Sequence, residues 1–235
     1  MFSTCECLTK IDLSNFNSEN ITDMTGMFYR CMYLTNINFS NFNTKNVTNM
    51  NNMFKGCMSL VDLDLSNLIT EKVKDLSNMF SNCSSLTNVN FFNCNTKNVF
   101  TMDNMFLDCH SLVNIDLSNF ITDNLISIKG MFSNCWSLKN VNLSNWNTKN
   151  ITNMDEMFCQ CESLVNLDLP DFITENVTSM SGLFKNCKSL MRINLSSFNT
   201  KKINDMHEMF KGCIFLNKSN VITKDDKIIN EINMI

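Results

Sequence analysis

Apolar residues return along this chain with a fixed period of 26. Phenylalanine recurs at Phe2, Phe28, Phe54, Phe80, Phe106, Phe132, Phe158, Phe184 and Phe210. A cysteine follows each at the same offset (Cys5, Cys31, Cys57 through Cys213), and a leucine follows each cysteine (Leu8, Leu34, Leu60 through Leu216). Nine copies without insertion or deletion give every coil of the chain the same path, which predicts a solenoid.

The coil from Leu112 to Ser137 serves for all. In Leu112-Val-Asn-Ile115-Asp-Leu117-Ser-Asn-Phe120, Ile115 and Leu117 alternate with polar residues, so a short strand points them inward and Asp116 outward. The inward rungs hold from Ile11 and Leu13 to Ile193 and Leu195. A Ser-Asn pair, Pro170-Asp171 in one copy, predicts a turn, and a large apolar residue follows it: Phe16, Phe42, Leu68, Cys94, Phe120, Trp146, Phe172, Phe198. In the second half of a coil, Val47 and Met50 fit an extended segment. Met50, Met53, Phe54 and Cys57 fall at spacings of three and four, which fits a short helical turn. The expected architecture is a right-handed coil with a parallel β-sheet on one face and short helical turns or extended segments on the other. The methionines lie in phase with Phe and Cys and belong to the core.

A finer pattern repeats every second coil. The outward strand position alternates Asp12, Asn38, Asp64, Asn90, Asp116, Asn142, Asp168, Asn194. Another position alternates in sign: Glu19, Lys45, Glu71, Lys97, Asp123, Lys149, Glu175, Lys201. Rungs stack about 4.8 Å apart, so alternation sets opposite charges on neighbouring rungs, and it suggests growth by copying a 52-residue double unit. Asparagines at turn positions, such as Asn46, Asn98 and Asn150, read as a structural ladder, even where they match an N-glycosylation sequence as in Asn150-Ile-Thr152.

After Leu216 the period fails, with Ser219 in place of the isoleucine rung. Ile228, Ile229, Ile232 and Ile235 take helical spacing behind a Thr223 cap. The expected organisation is a solenoid of about eight coils over 1–216 and a helical cap over 217–235. The N-terminal edge at Phe2 is expected to be raw, a place for end-to-end self-association.

The phrase M-F-x-x-C-x-S-L-x-x-I-D-L-S-x-F-x-T-x-N-V-T-x-M resembles the BspA-like leucine-rich repeat proteins, in their 26-residue variety, from residue 1 to about 216. The resemblance implies a curved solenoid displayed at a cell surface or secreted, used for adhesion or for binding host and matrix proteins. It brings no catalytic motif. The start, MFSTCECLTK, lacks the basic and apolar runs of a signal peptide, and no window is apolar enough for a membrane span.

Composition narrows the function further. A net charge of −4 without a basic run argues against nucleic acid as partner. Twelve cysteines suggest a disulfide scaffold until register is considered. Side chains stacked in parallel suit the disulfide dihedral poorly, and nine in one column cannot all pair, so buried free thiols are expected. By the same register Cys5 and Cys161 are core rungs. Cys159 shares a column with Lys55, Ser81, Ser133, Lys185 and Lys211, which predicts exposure. His110 and His207 lie almost four coils apart, and no cysteine set has zinc spacing, so no metal or cofactor is expected. Asp64, Asp116 and Asp168 lie two rungs apart, about 10 Å, too far for one calcium ion. With no nucleophile or acid–base pair converging, the chain reads as a non-enzymatic recognition or adhesion module for protein or glycan partners. The alternative is a structural spacer or self-assembling repeat. The candidate binding face comprises Asn36, Asp62, Asp12, Asn38, Asp64, Asn90, Asp116, Asn142, Asp168 and Asn194.

Overall fold

Eight three-residue strands succeed one another at the repeat spacing in the computed structural model, which describes residues 1–232. They are β1 (Lys10–Asp12), β2 (Asn36–Asn38), β3 (Asp62–Asp64), β4 (Asn88–Asn90), β5 (Asn114–Asp116), β6 (Asn140–Asn142), β7 (Asn166–Asp168) and β8 (Arg192–Asn194). A two-residue β9 (Val221–Ile222) and a short helix α1 (Asp226–Ile232) follow. All pairings are parallel, and equivalent residues face each other, Ile115 against Val141 for instance. The chain is thus a parallel β-solenoid with one repeat per coil.

Side chains inside the coil stack in columns. The rings from Phe2 to Phe210 lie 5.4–5.8 Å apart and within 14° of parallel. Such offset stacks add about 0.5–1.5 kcal/mol per pair beyond the burial of apolar area. The ladder cysteines are free and, from Cys31 to Cys213, buried. Each thiol donates to the carbonyl of the phenylalanine 29 residues earlier, as Cys57 Sγ does to Phe28 O at 3.2 Å. That carbonyl already accepts the Cys31 amide of its own coil. Cysteine at this position therefore supplies a small apolar body and a second donor. Where the aromatic column narrows to Leu68 and Cys94, an apolar cavity of about 10 Å³ remains.

The segment through Met50 and Cys57 makes no helical turn. It chains two β-turns, Met53 N to Met50 O and Cys57 N to Phe54 O, whose third residues, Asn52 and Gly56, have φ of 54° and 78°. Alternate amides of the same segment, those of Asn52, Phe54 and Gly56, donate to the next coil. The spacing of three and four that suggested a helix is the spacing of tandem turns closed by left-handed residues. All five glycines, Gly26, Gly56, Gly130, Gly182 and Gly212, occupy these two turn positions. Next to the turns, single parallel bridges link Asp23 to Asn49 and continue coil by coil to Asp205, confirming an extended segment there.

A third ladder lies beneath the surface. Buried Thr44, Thr70, Thr96, Thr122, Thr148 and Thr174 each donate to a carbonyl 25 residues on, as Thr96 Oγ1 does to Ile121 O at 3.0 Å. In most of these coils the amide of that same later residue donates back to the hydroxyl. One hydroxyl satisfies a donor and an acceptor at a corner where the chain has left the sheet.

Beyond Leu216 the rung is delayed rather than lost. Val221, not Ser219, stands beside Ile193, because the turn over 217–220 adds two residues. The helix starts at Asp226, and its cap is Asp225, whose carboxylate accepts the Lys227 and Ile228 amides. Thr223 instead accepts the Asp225 amide. Ile228 and Ile232 are buried against the core, while Ile235 lies outside the described residues.

Candidate functional site

The first and third residues of each strand point outward and the second inward, as period two requires. Asp12, Asn36, Asp62, Asp64, Asn90, Asp116, Asn142 and Asp168 are exposed, and Asn38 and Asn194 are partly so. The structure thus brings the ten sequence-derived residues onto one face. They form two columns along the solenoid.

Within that face the double unit takes physical form. The Asn38 amide donates to Asp12 at 3.1 Å, Asn90 to Asp64 at 3.0 Å and Asn142 to Asp116 at 3.1 Å. Each of these aspartates also accepts the amide of the serine two residues on, and the bonds to serine and asparagine hold its carboxyl below the usual carboxylate range. The fourth unit differs: Asp168 takes the Arg192 guanidinium at 3.0 Å instead. Strands pair as β1–β2, β3–β4, β5–β6 and β7–β8–β9, with no pairing between β2 and β3, β4 and β5, or β6 and β7. Across a seam the Asn38 amide is already committed to Asp12, and Asp64 as a carboxylate has no proton to offer. The sheet is segmented every second coil, in step with the side-chain pairing, whereas the bridges behind it run unbroken.

Two adjoining clefts lie on this face. One, of about 440 Å³, runs over β4, β5 and β6. It lies between Asn88, Asn114 and Asn140 on one side and Asp116 and Asn142 on the other. The second, of about 580 Å³, shares Val141 and Asn142 with the first and crosses the β6–β7 seam to Asp168, Pro170 and Ile173. Sequence reasoning found the columns but not the clefts, which cross seams where the backbone pairing of strands stops. The alternation of Asp and Asn was the one signal available.

Elsewhere several expectations change. The sign-alternating column from Glu19 to Lys201 forms no ion pairs among the described residues; Asp123, for example, accepts the Asn147 amide. The ion pairs sit on other columns. Glu208 is held by Lys185 and Lys211, which together pull its carboxyl down to about 2. Cys159 is buried, not exposed: its column also holds buried Ser81 and Ser133, and a short side chain there is covered by longer neighbours. Burial pushes its thiol up. Cys5, read as a core rung, is exposed on the first coil, as is Cys7. His110 stacks on the exposed Trp136 with ring centres 3.9 Å apart, a contact no motif announced. Asn46, Asn98, Asn124, Asn150 and Asn176 each donate to a carbonyl 27 residues earlier, which is the structural ladder expected of them. Among the described residues no cluster of His, Cys, Asp and Glu is arranged to hold a metal, and no helix is long and apolar enough to cross a membrane.

A family model described as "Mycoplasma protein of unknown function, DUF285" matches residues 1–120, 61–164 and 126–233. No curated protein matches the chain. Among solved structures, a leucine-rich repeat protein from Bacteroides ovatus is similar at 20% identity and a TM-score of 0.41, over 89% of this chain and 60% of that one. The chain thus spans less than two thirds of that protein's length. A leucine-rich cell surface protein from Faecalibacterium prausnitzii is similar at 18% identity and a TM-score of 0.35, over 95% of this chain and 85% of the other.

Proposed function

The chain belongs to the DUF285 family, and we propose that it is a recognition module whose strand face binds protein or glycan partners, displayed at a cell surface. One observation carries the reading. The outward columns, from Asp12 and Asn36 to Asn194, make a continuous polar surface whose side chains are oriented by mutual hydrogen bonds and which opens into the two adjoining clefts. The BspA-like phrasing of the repeat supports the cell-surface setting. The carboxylates of this face accept from serine, asparagine, threonine and arginine in contacts that orient the side chains.

A face of amides and carboxylates has few of the Tyr, Trp and Arg anchors that dominate tight interfaces. Single-copy binding is therefore weak, and affinity grows with the number of copies presented. The test compares adhesion of monomeric and clustered protein to cells or matrix. Clustering raises binding at least tenfold on this reading; equal binding by the two forms, or none by either, rejects it.

Self-association is a second reading with its own observation. On the first coil Phe2 and Leu8 are only partly buried, whereas their equivalents from Phe28 and Leu34 to Phe210 and Leu216 are buried. Sedimentation at rising concentration tests it, and a monodisperse monomer throughout counts against it.

A further inference from the structure

We propose that the trough over β4 to β7 binds an uncharged, linear polysaccharide laid parallel to the solenoid axis, a proposal that rests on the reading of the strand face as a recognition surface. The shape comes first. Asn88, Asn114 and Asn140 line one side, Asp116 and Asn142 the other, and the backbone of the Val89, Ile115 and Val141 rung forms the floor. Through Asn142 the trough continues into the second cleft as far as Asp168. The steps from β4 to β7 cover about 15 Å at the rung spacing of parallel strands. A polymer whose repeat length approaches one rung meets an equivalent pair of side chains at each coil, and an extended glycan advances by a similar distance per sugar.

Charge then selects among polymers. Neither cleft is lined by Lys, Arg or His, so a phosphate, sulfate or uronate chain finds no counter-charge. Of the three carboxylates, Asp116 is engaged by Asn142 and Ser118, Asp168 by Arg192, and Asp171 sits on the exposed turn beyond the columns, so a cationic polymer meets no repeating counter-charge. Among the large apolar side chains lining the clefts, only Ile173, at the far end of the second, is exposed. Trp146 and Phe172 reach the second cleft but are buried, and Trp146 Nε1 is fixed on Leu117 O at 2.9 Å.

What remains is amide chemistry. The Asn140 amide donates to Asn114 Oδ1 at 2.6 Å, which ties the two side chains together while leaving one hydrogen of Asn140, both of Asn114 and spare oxygen lone pairs unused. Donor and acceptor side by side on one rigid group complement adjacent sugar hydroxyls, each of which both donates and accepts. Because neighbouring side chains hold the amides in place, little rotamer entropy remains to be lost on binding.

The test is native electrophoresis through gels containing hydroxyethylcellulose, galactomannan or dextran, with heparin and polygalacturonate as polyanion controls. The wild type is retarded by at least one neutral polymer, retardation survives high salt, and Asn114→Ala with Asn140→Ala weakens it about tenfold at unchanged melting temperature. Migration unaffected by every neutral polymer, retardation by polyanions alone, or a double variant retarded like the wild type overturns the proposal. A companion assay separates this failure from that of the wider reading. Clustered protein is applied to cells whose vicinal diols have been destroyed by periodate. Adhesion that persists there and is lost in the double variant keeps the face as a recognition surface and removes the glycan; adhesion by the double variant equal to wild type removes both.

Discussion

The Thr200 hydroxyl lies 2.7 Å from a carboxylate oxygen of Asp225, 25 residues further along. In the six coils before it the same hydroxyl meets a backbone carbonyl at that offset. Asp225 thus completes the threonine ladder with a side chain and uses the same carboxylate to cap α1 through Lys227 and Ile228. One residue ends the repeat and begins the helix.

Replacing Asp225 by Ala removes both roles. The expected loss is about 1–2 kcal/mol by urea denaturation, the range of a helix cap plus a charge-assisted hydrogen bond. The effect is pH-dependent. Burial pushes the Asp225 carboxyl up, but the Thr200 hydroxyl and the amides of Thr200, Ile228 and Lys227 outweigh it, and the net shift is downward. A lowered folded value means stability that is present above the ordinary carboxylate range and is lost as pH falls through that lowered value. The difference between wild type and D225A therefore shrinks on acidification. A constant difference from neutral pH to strong acid would contradict the assignment.

Inside the ladder, Thr96→Val and Thr96→Ser separate shape from hydrogen bonding. Valine keeps the volume but strands the Ile121 amide and carbonyl, which the Thr96 hydroxyl meets at 2.8 and 3.0 Å. Two unsatisfied groups cost roughly 2–4 kcal/mol. Serine retains both bonds and loses only a methyl, so it costs about 1 kcal/mol. Thermal melts of the two variants check the order; valine equal to or better than serine would show that the bonds contribute nothing.

The tandem turns predict substitutions of opposite sign at equivalent positions. Gly130 and Glu156 stand one repeat apart with φ of 58° and 55°. A Cβ at Gly130 would overlap Asn104 Oδ1, the movable end of a side chain, so Gly130→Ala displaces that amide and costs chiefly left-handed strain, about 1–2 kcal/mol. Glu156 follows a glycine in its column, and its Cβ occupies the room that glycine leaves. Glu156→Gly only relieves the strain and stabilises by about 1 kcal/mol. Denaturation midpoints of the two variants should move in opposite directions.

The register that places Phe106 over Phe132 and Asn142 beside Asp116 was legible in the chain, because a 26-residue period without gaps leaves stacked columns no other arrangement. Three features were not. Turns closed by Asn52 and Gly56 share their apolar spacing with a helix, and only the left-handed residues tell them apart. The exposure of Cys159 depends on what covers its column, a property of the neighbouring coils. The candidate face was readable as two columns, but its clefts cross the β4–β5 and β6–β7 seams, and the spacing of backbones at a seam is a three-dimensional property that the residue pattern does not carry.

The thiol ladder makes the last prediction. A bulky thiol reagent applied to the native protein should modify Cys5 and Cys7, while Cys159 reacts as slowly as Cys83 and Cys109. The ladder also gives the protein an alkaline limit. Burial pushes the thiols of Cys83 and Cys94 from 9.0 up to about 12, and that of Cys109 well above 9.0. A raised folded value means stability that is complete below the unfolded value and lost as pH climbs from about 9 towards the folded value, since the unfolded chain releases protons that the folded chain retains. The melting temperature should therefore fall steeply above about pH 9. Replacing Cys83 and Cys109 by serine retains a donor for the Phe54 and Phe80 carbonyls and removes two titrating groups. The double variant starts with a lower melting temperature at neutral pH but falls less steeply above pH 9. An alkaline slope identical to wild type would mean that the ladder thiols do not stay protonated inside the stack.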